Sequence, residues 1–366
     1  MNPRVLFVGR TRYRLPLAGG LAQKWDALAA RMEVRAIAAG TGSDPRFRLV
    51  APRRLDGLRF YAGLPFRVVR EIRSFAPDAV VAETPYEGIA VELARLLIRR
   101  RVRTVVEVHG DWQTSTRLYG SPLRRAISPL GDVLATWAIR RADAVRTLSP
   151  FTSGLVRALG VEPAGEFIAF VDLDVFEATP PAPLPSRRQA LFVGVLELYK
   201  NVDGLAAAWR LVATRLPEAR LQIVGDGARR DLAAALCREL PDQAEWTPRL
   251  APAGVAAALD DSTCLVLPSR SEGLPRIAVE ALCRGRALVA TRGGGIPDIV
   301  EDGSNGLLVE SGDPEALADA LVRILTQPDL AERLGRGAHE ASFRWRSSAD
   351  QFAENMRAVV DRALLR

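Results

Sequence analysis

The side chains best suited to chemistry gather in one stretch, Ser269-Arg270-Ser271-Glu272-Gly273-Leu274-Pro275-Arg276-Ile277-Ala278-Val279-Glu280. It follows the apolar run Cys264-Leu265-Val266-Leu267-Pro268. Such a run reads as a buried strand, and Pro275 suits the first turn of a helix, where its missing N–H costs nothing. Gly273 lets backbone approach a ligand closely. The free N–H groups and positive dipole end of the helix suit a diphosphate. Glu272 precedes the helix and Glu280 lies inside it, so two carboxylates reach different parts of one ligand and can accept from sugar and ribose hydroxyls. A loop glutamate and an exposed helix glutamate would account for the same pair.

A second constellation is Leu191-Phe192-Val193-Gly194-Val195-Leu196-Glu197-Leu198-Tyr199-Lys200-Asn201. Here a strand ends in Gly194, and a short loop presents Lys200 before the next helix. An ammonium there can neutralise a leaving diphosphate as a compact point charge. Only Lys24 and Lys200 are lysines among the 50 basic residues, so a merely tolerated cation at 200 would be arginine. Gly225-Asp226-Gly227 and Gly293-Gly294-Gly295 also follow strands, where glycine usually serves only the turn. Gly19-Gly20, after the first strand, can admit a phosphate, though no dinucleotide fingerprint is complete. His109 ends the strand Thr104–Val108 and can hydrogen-bond sugar hydroxyls or move protons. A structural role fits His109 equally well. His339, in a late helix, reads as structural, and no metal-ligand cluster, Ser/His/Asp arrangement or G-x-x-x-x-G-K-[ST] loop is present.

Positioning these residues requires parallel sheets. Short β-branched runs alternate with longer helical patterns, the mark of βαβ units. In the first half the pattern predicts strands near 5–9, 34–39, 79–83, 104–109 and 144–148, and helices near 20–31, 64–75, 87–100, 121–141 and 150–159. In the second it predicts strands near 190–195, 220–224, 263–268, 287–290 and 306–309, and helices near 202–215, 228–239, 252–259, 275–284, 313–326 and 329–340. The fold class expected is α/β, two Rossmann-like doubly wound domains facing a central cleft, where the strand C-terminal ends bind ligands. The domains would be 1–176 for the acceptor and 189–345 for the donor, joined by a proline-rich linker at 177–188. An amphipathic helix in 346–366 would pack back across both.

Composition narrows the class further. The chain has 366 residues, enough for two cores, with 48% apolar and 25% charged residues. No apolar run reaches a membrane span, no leader pattern opens the chain, and three cysteines lack C-x-x-C spacing. A reducing cytoplasm is expected. Residues 1–170 carry a net charge of +12 and residues 171–366 one of −5. The basic half points to an anionic partner: a phospholipid surface at the inner face of the membrane, a lipid-diphosphate acceptor or a polyanionic glycan. Solvated arginines are the plain alternative. Nucleic acid is disfavoured, because the basic residues lack interleaved aromatics.

Taken together, Lys200, the Glu272–Glu280 pair, the triple glycine and Asn305-Gly306-Leu307-Leu308-Val309 resemble the family 4 glycosyltransferases of GT-B fold. In the first half Val108-His109-Gly110 and Arg141-Ala142-Asp143-Ala144-Val145 match in character. The resemblance implies metal-independent, retaining transfer of a sugar from a UDP- or GDP-sugar donor to a glycan, lipid-linked or small-molecule acceptor. It assigns Lys200 to the donor phosphates, Gly194 to the donor site, Glu272 to the donor sugar, and the backbone of Gly273, Leu274 and Pro275 to the sugar and phosphates. Glu280 would bind the ribose, Arg249 would lie near the base, and His109 near the sugar and acceptor. Val195 departs from the pattern, which has arginine there; either Arg10, Arg12 or Arg270 replaces that charge, or the site carries one charge fewer. Ala169-Phe170 and Asp298 depart as well. Two other classes fit the residues: an epimerase or hydrolase of the same fold, and a non-catalytic nucleotide-sugar-binding subunit. Oligomeric state is not legible.

Overall fold

The computed structural model describes residues 2–51, 56–98, 102–118 and 122–366. Parts of three expected segments, the helices at 87–100 and 121–141 and the loop at 41–63, lie outside them. The chain forms two compact units: Met1–Gln113 with Ala126–Asp172 and Ser347–Arg366, and Thr114–Arg125 with Leu173–Arg346.

In chain order the elements begin β1 (Arg4–Arg14), α1 (Gly19–Arg31), β2 (Glu33–Thr41), β3 (Phe47–Val50), α2 (Asp56–Phe75), β4 (Ala79–Ala82) and α3 (Pro85–Ile98). They continue with β5 (Arg103–Val108), α4 (Trp112–Leu118), α5 (Pro122–Arg141), β6 (Ala144–Thr147), α6 (Pro150–Arg157) and β7 (Gly165–Glu166). After α7 (Asp174–Glu177) come β8 (Gln189–Val193), α8 (Val202–Arg215), β9 (Arg220–Val224), α9 (Arg230–Glu239), β10 (Ala244–Thr247), α10 (Pro252–Asp260) and β11 (Cys264–Leu267). The last are α11 (Arg276–Cys283), β12 (Ala287–Thr291), α12 (Ile296–Ile299), β13 (Gly306–Val309), α13 (Pro314–Thr326), α14 (Pro328–Ser342) and α15 (Ala349–Leu364).

The first unit holds a parallel sheet ordered β3-β2-β1-β4-β5-β6-β7. Alternation along β1 sorts its side chains: Val5 and Phe7 join Trp25 and Leu28 of α1 and Phe352 and Met356 of α15 on one face. Leu6 and Val8 join α2, α3 and α5 on the other. The second unit's sheet runs β10-β9-β8-β11-β12-β13, with Phe192, Val266 and Val289 packing against Leu205 and Trp209 of α8 and Leu321 of α13. Both sheets are α/β and doubly wound.

Strands β3, β7 and β10 and the short helices α4, α7 and α12 are additions to the expected elements. Strands β3 and β10 are edge strands carrying a charge, Arg48 and Glu245, within four residues, so neither reads as an apolar run. Helix α2 begins at Asp56 and continues through Pro65, where the sequence pattern placed a start near 64 because proline favours first turns. The proline-rich segment 177–188 belongs to the second unit. Its carbonyls are held by two buried arginines: Arg284 donates to Thr179 and Pro180, and to Phe176 just before the segment, and Arg286 donates to Ala182 and Pro183. Helix α15 lies in the first unit.

Candidate functional site

In a parallel sheet every strand-to-helix loop opens on one edge, so second-unit loops after β8, β9, β10, β11 and β12 share it. Lys200 closes a single 3₁₀ turn after β8, and Asn201 follows with a left-handed φ of 55°. The lysine is buried, and its Nζ lies 2.5 Å from Glu272 Oε1, on the loop after neighbouring β11. Ser269 Oγ donates to the same oxygen at 2.9 Å. Gly194 leaves a lane for this ammonium: a Cβ there would stand 3.2 Å from Lys200 Cε. Gly294, at φ 62°, passes so close to Glu272 that a Cβ would fall 2.3 Å from its carbonyl oxygen. The Gly295 N–H donates to that carbonyl at 2.8 Å, so the triple glycine props the Glu272 loop.

Pro275 stands one residue before α11, with extended ψ of 116°, and no side chain caps the helix. Glu280 is buried one turn inside; burial pushes its carboxyl up, while Arg276 Nε, 2.6 Å from Oε1, opposes the rise. Arg249 is exposed after edge strand β10, roughly 10 Å across the sheet from β8. Arg270 takes another part than the charge missing at 195. Its amide donates to Tyr199 O at 2.7 Å, and its guanidinium donates to Asn201 Oδ1 at 2.9 Å and Asp203 Oδ2 at 2.7 Å. It staples the Lys200 turn to the Glu272 loop. Val195 is 49% exposed. Lys200, Glu272 and Gly194 are therefore brought together, with Gly273, Leu274 and Pro275 leading from them into α11.

In the first unit His109 follows β5 with its Nε2 2.9 Å from Glu107 Oε2. Register places Glu107 opposite Arg146 of β6, whose Nη1 donates to Glu107 Oε1 at 3.0 Å. Arg146 also lies 4.2 Å over the Phe167 ring and donates to Phe167 O. Burial works to raise the Glu107 carboxyl, but Arg146 and His109 overcome it and hold the group down at about 2. Neither Glu107 nor Arg146 stood out in the sequence. Residues 107 and 109 do share a strand face by period-2 spacing, a usable signal, whereas Arg146 required the β5–β6 register.

Beside His109 opens a pocket of about 430 Å³ lined also by Arg10, Arg12, Tyr61, Glu83 and Glu87. Thr11 donates to Glu83 at 2.8 Å and Tyr61 to Glu87 at 2.9 Å, and burial pushes the Glu87 carboxyl up. Glutamates after β4 and arginines at the end of β1 make a site for hydroxyl groups next to an anion. Gly19 and Gly20, expected to admit a phosphate, open α1, and the Gly20 amide donates to Asp172 Oδ2 at 2.8 Å.

Two family models match the chain: "Glycosyl transferases group 1" over residues 187–327 and "Glycosyl transferase 4-like domain" over residues 12–168. The D-inositol 3-phosphate glycosyltransferase of Streptomyces griseus is 32% identical over 244 residues, covering 56% of this chain and 51% of that protein. The chain thus spans about half the length of the curated relatives it matches. Sucrose-phosphate synthase of Thermosynechococcus elongatus superposes with a TM-score of 0.76 over 97% of both chains, at 19% identity. HepE of Anabaena, solved in complex with UDP-glucose, superposes with a TM-score of 0.70 over 97% of this chain and 99% of that one, at 18% identity. At these identities the likeness is one of fold.

Proposed function

We propose, from the premise that this chain belongs to the glycosyl transferases group 1 family, that it moves a sugar from a UDP- or GDP-sugar to a hydroxylated acceptor with retention of configuration. The observation that carries this reading is the buried Lys200 ammonium 2.5 Å from Glu272, beside the uncapped start of α11. In the donor complex the ammonium turns from the carboxylate to the diphosphate, and the helix dipole adds to it. Glu272 then accepts from a donor-sugar hydroxyl, and Glu280 from the ribose. The bond from the anomeric carbon to the diphosphate breaks as the acceptor oxygen bonds the same face, and the acceptor's proton passes to the departing phosphate oxygen. The first-unit pocket takes the acceptor, with His109 oriented by Glu107. A glycan, lipid-linked or small-molecule acceptor carrying hydroxyls and an anionic group matches Glu83, Glu87, Arg10 and Arg12.

A panel of UDP- and GDP-linked hexoses tests the donor side. At a hundred times its Kd the right donor adds about 2.7 kcal/mol. That should raise the melting temperature by on the order of 5 °C. No stabilisation by any nucleotide sugar would end this reading. Activity is also expected to persist in EDTA, because Lys200 and the α11 terminus supply the positive charge. Among the described residues no group of three or more His, Cys, Asp or Glu side chains is placed to hold a metal ion. Loss in EDTA that magnesium or manganese restores would show that a divalent ion does this work.

Val195 favours a second reading, a non-catalytic nucleotide-sugar-binding subunit. A half-exposed valine stands where the family pattern has a cation, and Arg270 is held by Asn201 and Asp203. Stabilisation by a nucleotide sugar without turnover on any acceptor would select it. A hydrolase or epimerase would instead release or convert sugar with no acceptor present. For localisation we propose the cytoplasm, where the buried thiols of Cys264 and Cys283 stay reduced. No described helix is long and apolar enough to cross a membrane.

A further inference from the structure

Helices α2, α3 and α5 cover one face of the first unit's sheet, so their outer surfaces look the same way. Twelve large apolar side chains are exposed among the described residues, and seven of them lie on these three helices: Phe66, Leu93, Leu96, Leu97, Leu130, Val133 and Leu134. That concentration is not the single, scattered exposure of an ordinary surface. Leu93, Leu96 and Leu97 repeat at i, i+3, i+4 and form one stripe; Leu130, Val133 and Leu134 form another. Exposure reaches 61% at Leu96, 66% at Leu130 and 70% at Phe66. The two stripes are neighbours, because Tyr86 of α3 donates to Asp132 of α5 and Arg141 of α5 pairs with Glu92 of α3 at 3.3 Å.

Charge on these helices is sorted as well. The described carboxylates Glu71, Glu87, Glu92 and Asp132 are all buried, and each has an inward partner: Arg35, Tyr61, Arg95 and Tyr86 respectively. Arg59, Arg70 and Arg73 are exposed on the α2 face that carries Phe66, at i−7, i+4 and i+7 from it, and Arg140 is exposed on α5. Helices whose exposed side chains are apolar and cationic, with their described anions turned inward, suit a medium that is anionic at its surface and apolar just beneath. Two copies of such a face would repel, since an isologous contact sets arginines against arginines.

We propose that this face docks the protein on a lipid bilayer with anionic headgroups. The leucines and Phe66 enter the boundary between headgroups and acyl chains, and the arginines meet lipid phosphates. Docking is independent of the proposed transfer; a chain inactive on every donor would still bind.

Vesicle co-sedimentation of the full chain tests it, using phosphatidylcholine alone and mixed with phosphatidylglycerol. At low salt the protein should sediment with the mixed vesicles, less so with phosphatidylcholine alone, and release as salt rises. Leu96→Gln with Leu97→Gln should weaken vesicle binding by roughly tenfold or more, the scale of losing one buried leucine. Arg70→Gln and Arg73→Gln should each weaken it about fivefold on anionic vesicles and little on neutral ones. These positions are solvent-exposed, so an unchanged circular-dichroism melt separates the effect from unfolding. Protein left in the supernatant with both vesicles overturns the proposal. So does leucine-variant binding equal to wild type, or a solution dimer dispersed by the leucine changes, which would make a second copy the occupant.

Discussion

Lys200→Ala is expected to lower sugar-transfer turnover by about two to three orders of magnitude, the scale of losing one preorganised donor to developing negative charge. Two effects act together. The diphosphate loses its compact cation, and Glu272, its side chain 11% exposed, keeps the Ser269 hydroxyl but loses its ammonium. An uncompensated, partly buried carboxylate beside a phosphate site repels the ligand as well. Breaking such a pair also destabilises the fold, by about 3–5 kcal/mol. Rates should therefore be compared well below the variant's melting temperature. The double variant Lys200→Ala with Glu272→Ala separates the two effects, since it should recover stability without recovering turnover. Lys200→Arg should rescue little, because the lane past Gly194 already fits a lysine closely. Donor-dependent transfer by Lys200→Ala near the wild-type rate would remove Lys200 from the chemistry.

Glu107→Ala should produce the largest loss of stability among single changes near His109, about 3–5 kcal/mol. Arg146 is 1% exposed and would keep its charge in the core, facing the Phe167 carbonyl, His109 Nε2 at 3.4 Å and two aromatic rings, with no anion to balance it among these neighbours. The same pair sets an acid response. The Glu107 carboxyl is depressed from 4.5 to about 2 in the folded chain. Its contribution is thus complete above the unfolded value and lost as pH falls through the folded one. Chemical melts between neutral pH and pH 2 should show this loss in the wild type and a flatter acid limb in Glu107→Gln. Glu107→Gln should also release His109, so its effect on transfer should exceed that of a remote core change of equal stability. Identical melting and acid dependence in Glu107→Gln and wild type would mean that the Arg146 pair holds nothing.

Much of the site was legible because it depends on local chemistry. Gly194, Lys200 and Glu272 sit directly after apolar strands, and strand-to-helix loops of parallel sheets open on one edge whatever the details of packing. The rare lysine in an arginine-rich chain marks position 200 as a candidate, and its ammonium is buried beside Glu272. Other assignments depended on partners distant in sequence. Gly19-Gly20 read as an opening for a phosphate because Asp172, which takes the Gly20 amide, lies 152 residues away. Arg270 read as a candidate second cation because its ties to Asn201 and Asp203 form only when β8 and β11 lie side by side.

What the sequence determined by itself, then, was the alternation of strands and helices, the α/β class and the chemically able residues at strand ends. These follow from periodicity, from glycine and proline geometry, and from side-chain type, all set within a few residues. Tertiary structure alone decided which charges neutralise each other. Glu107 meets Arg146 through the register of two strands, and Lys200 meets Glu272 through adjacency in the sheet. The described carboxylates Glu71, Glu87, Glu92 and Asp132 turn inward while Leu93, Leu96, Leu97, Leu130 and Leu134 stay out, because helix rotation on a sheet is fixed by the whole core. A one-dimensional pattern records which residues are charged or apolar; only the packed core determines which of them water can reach.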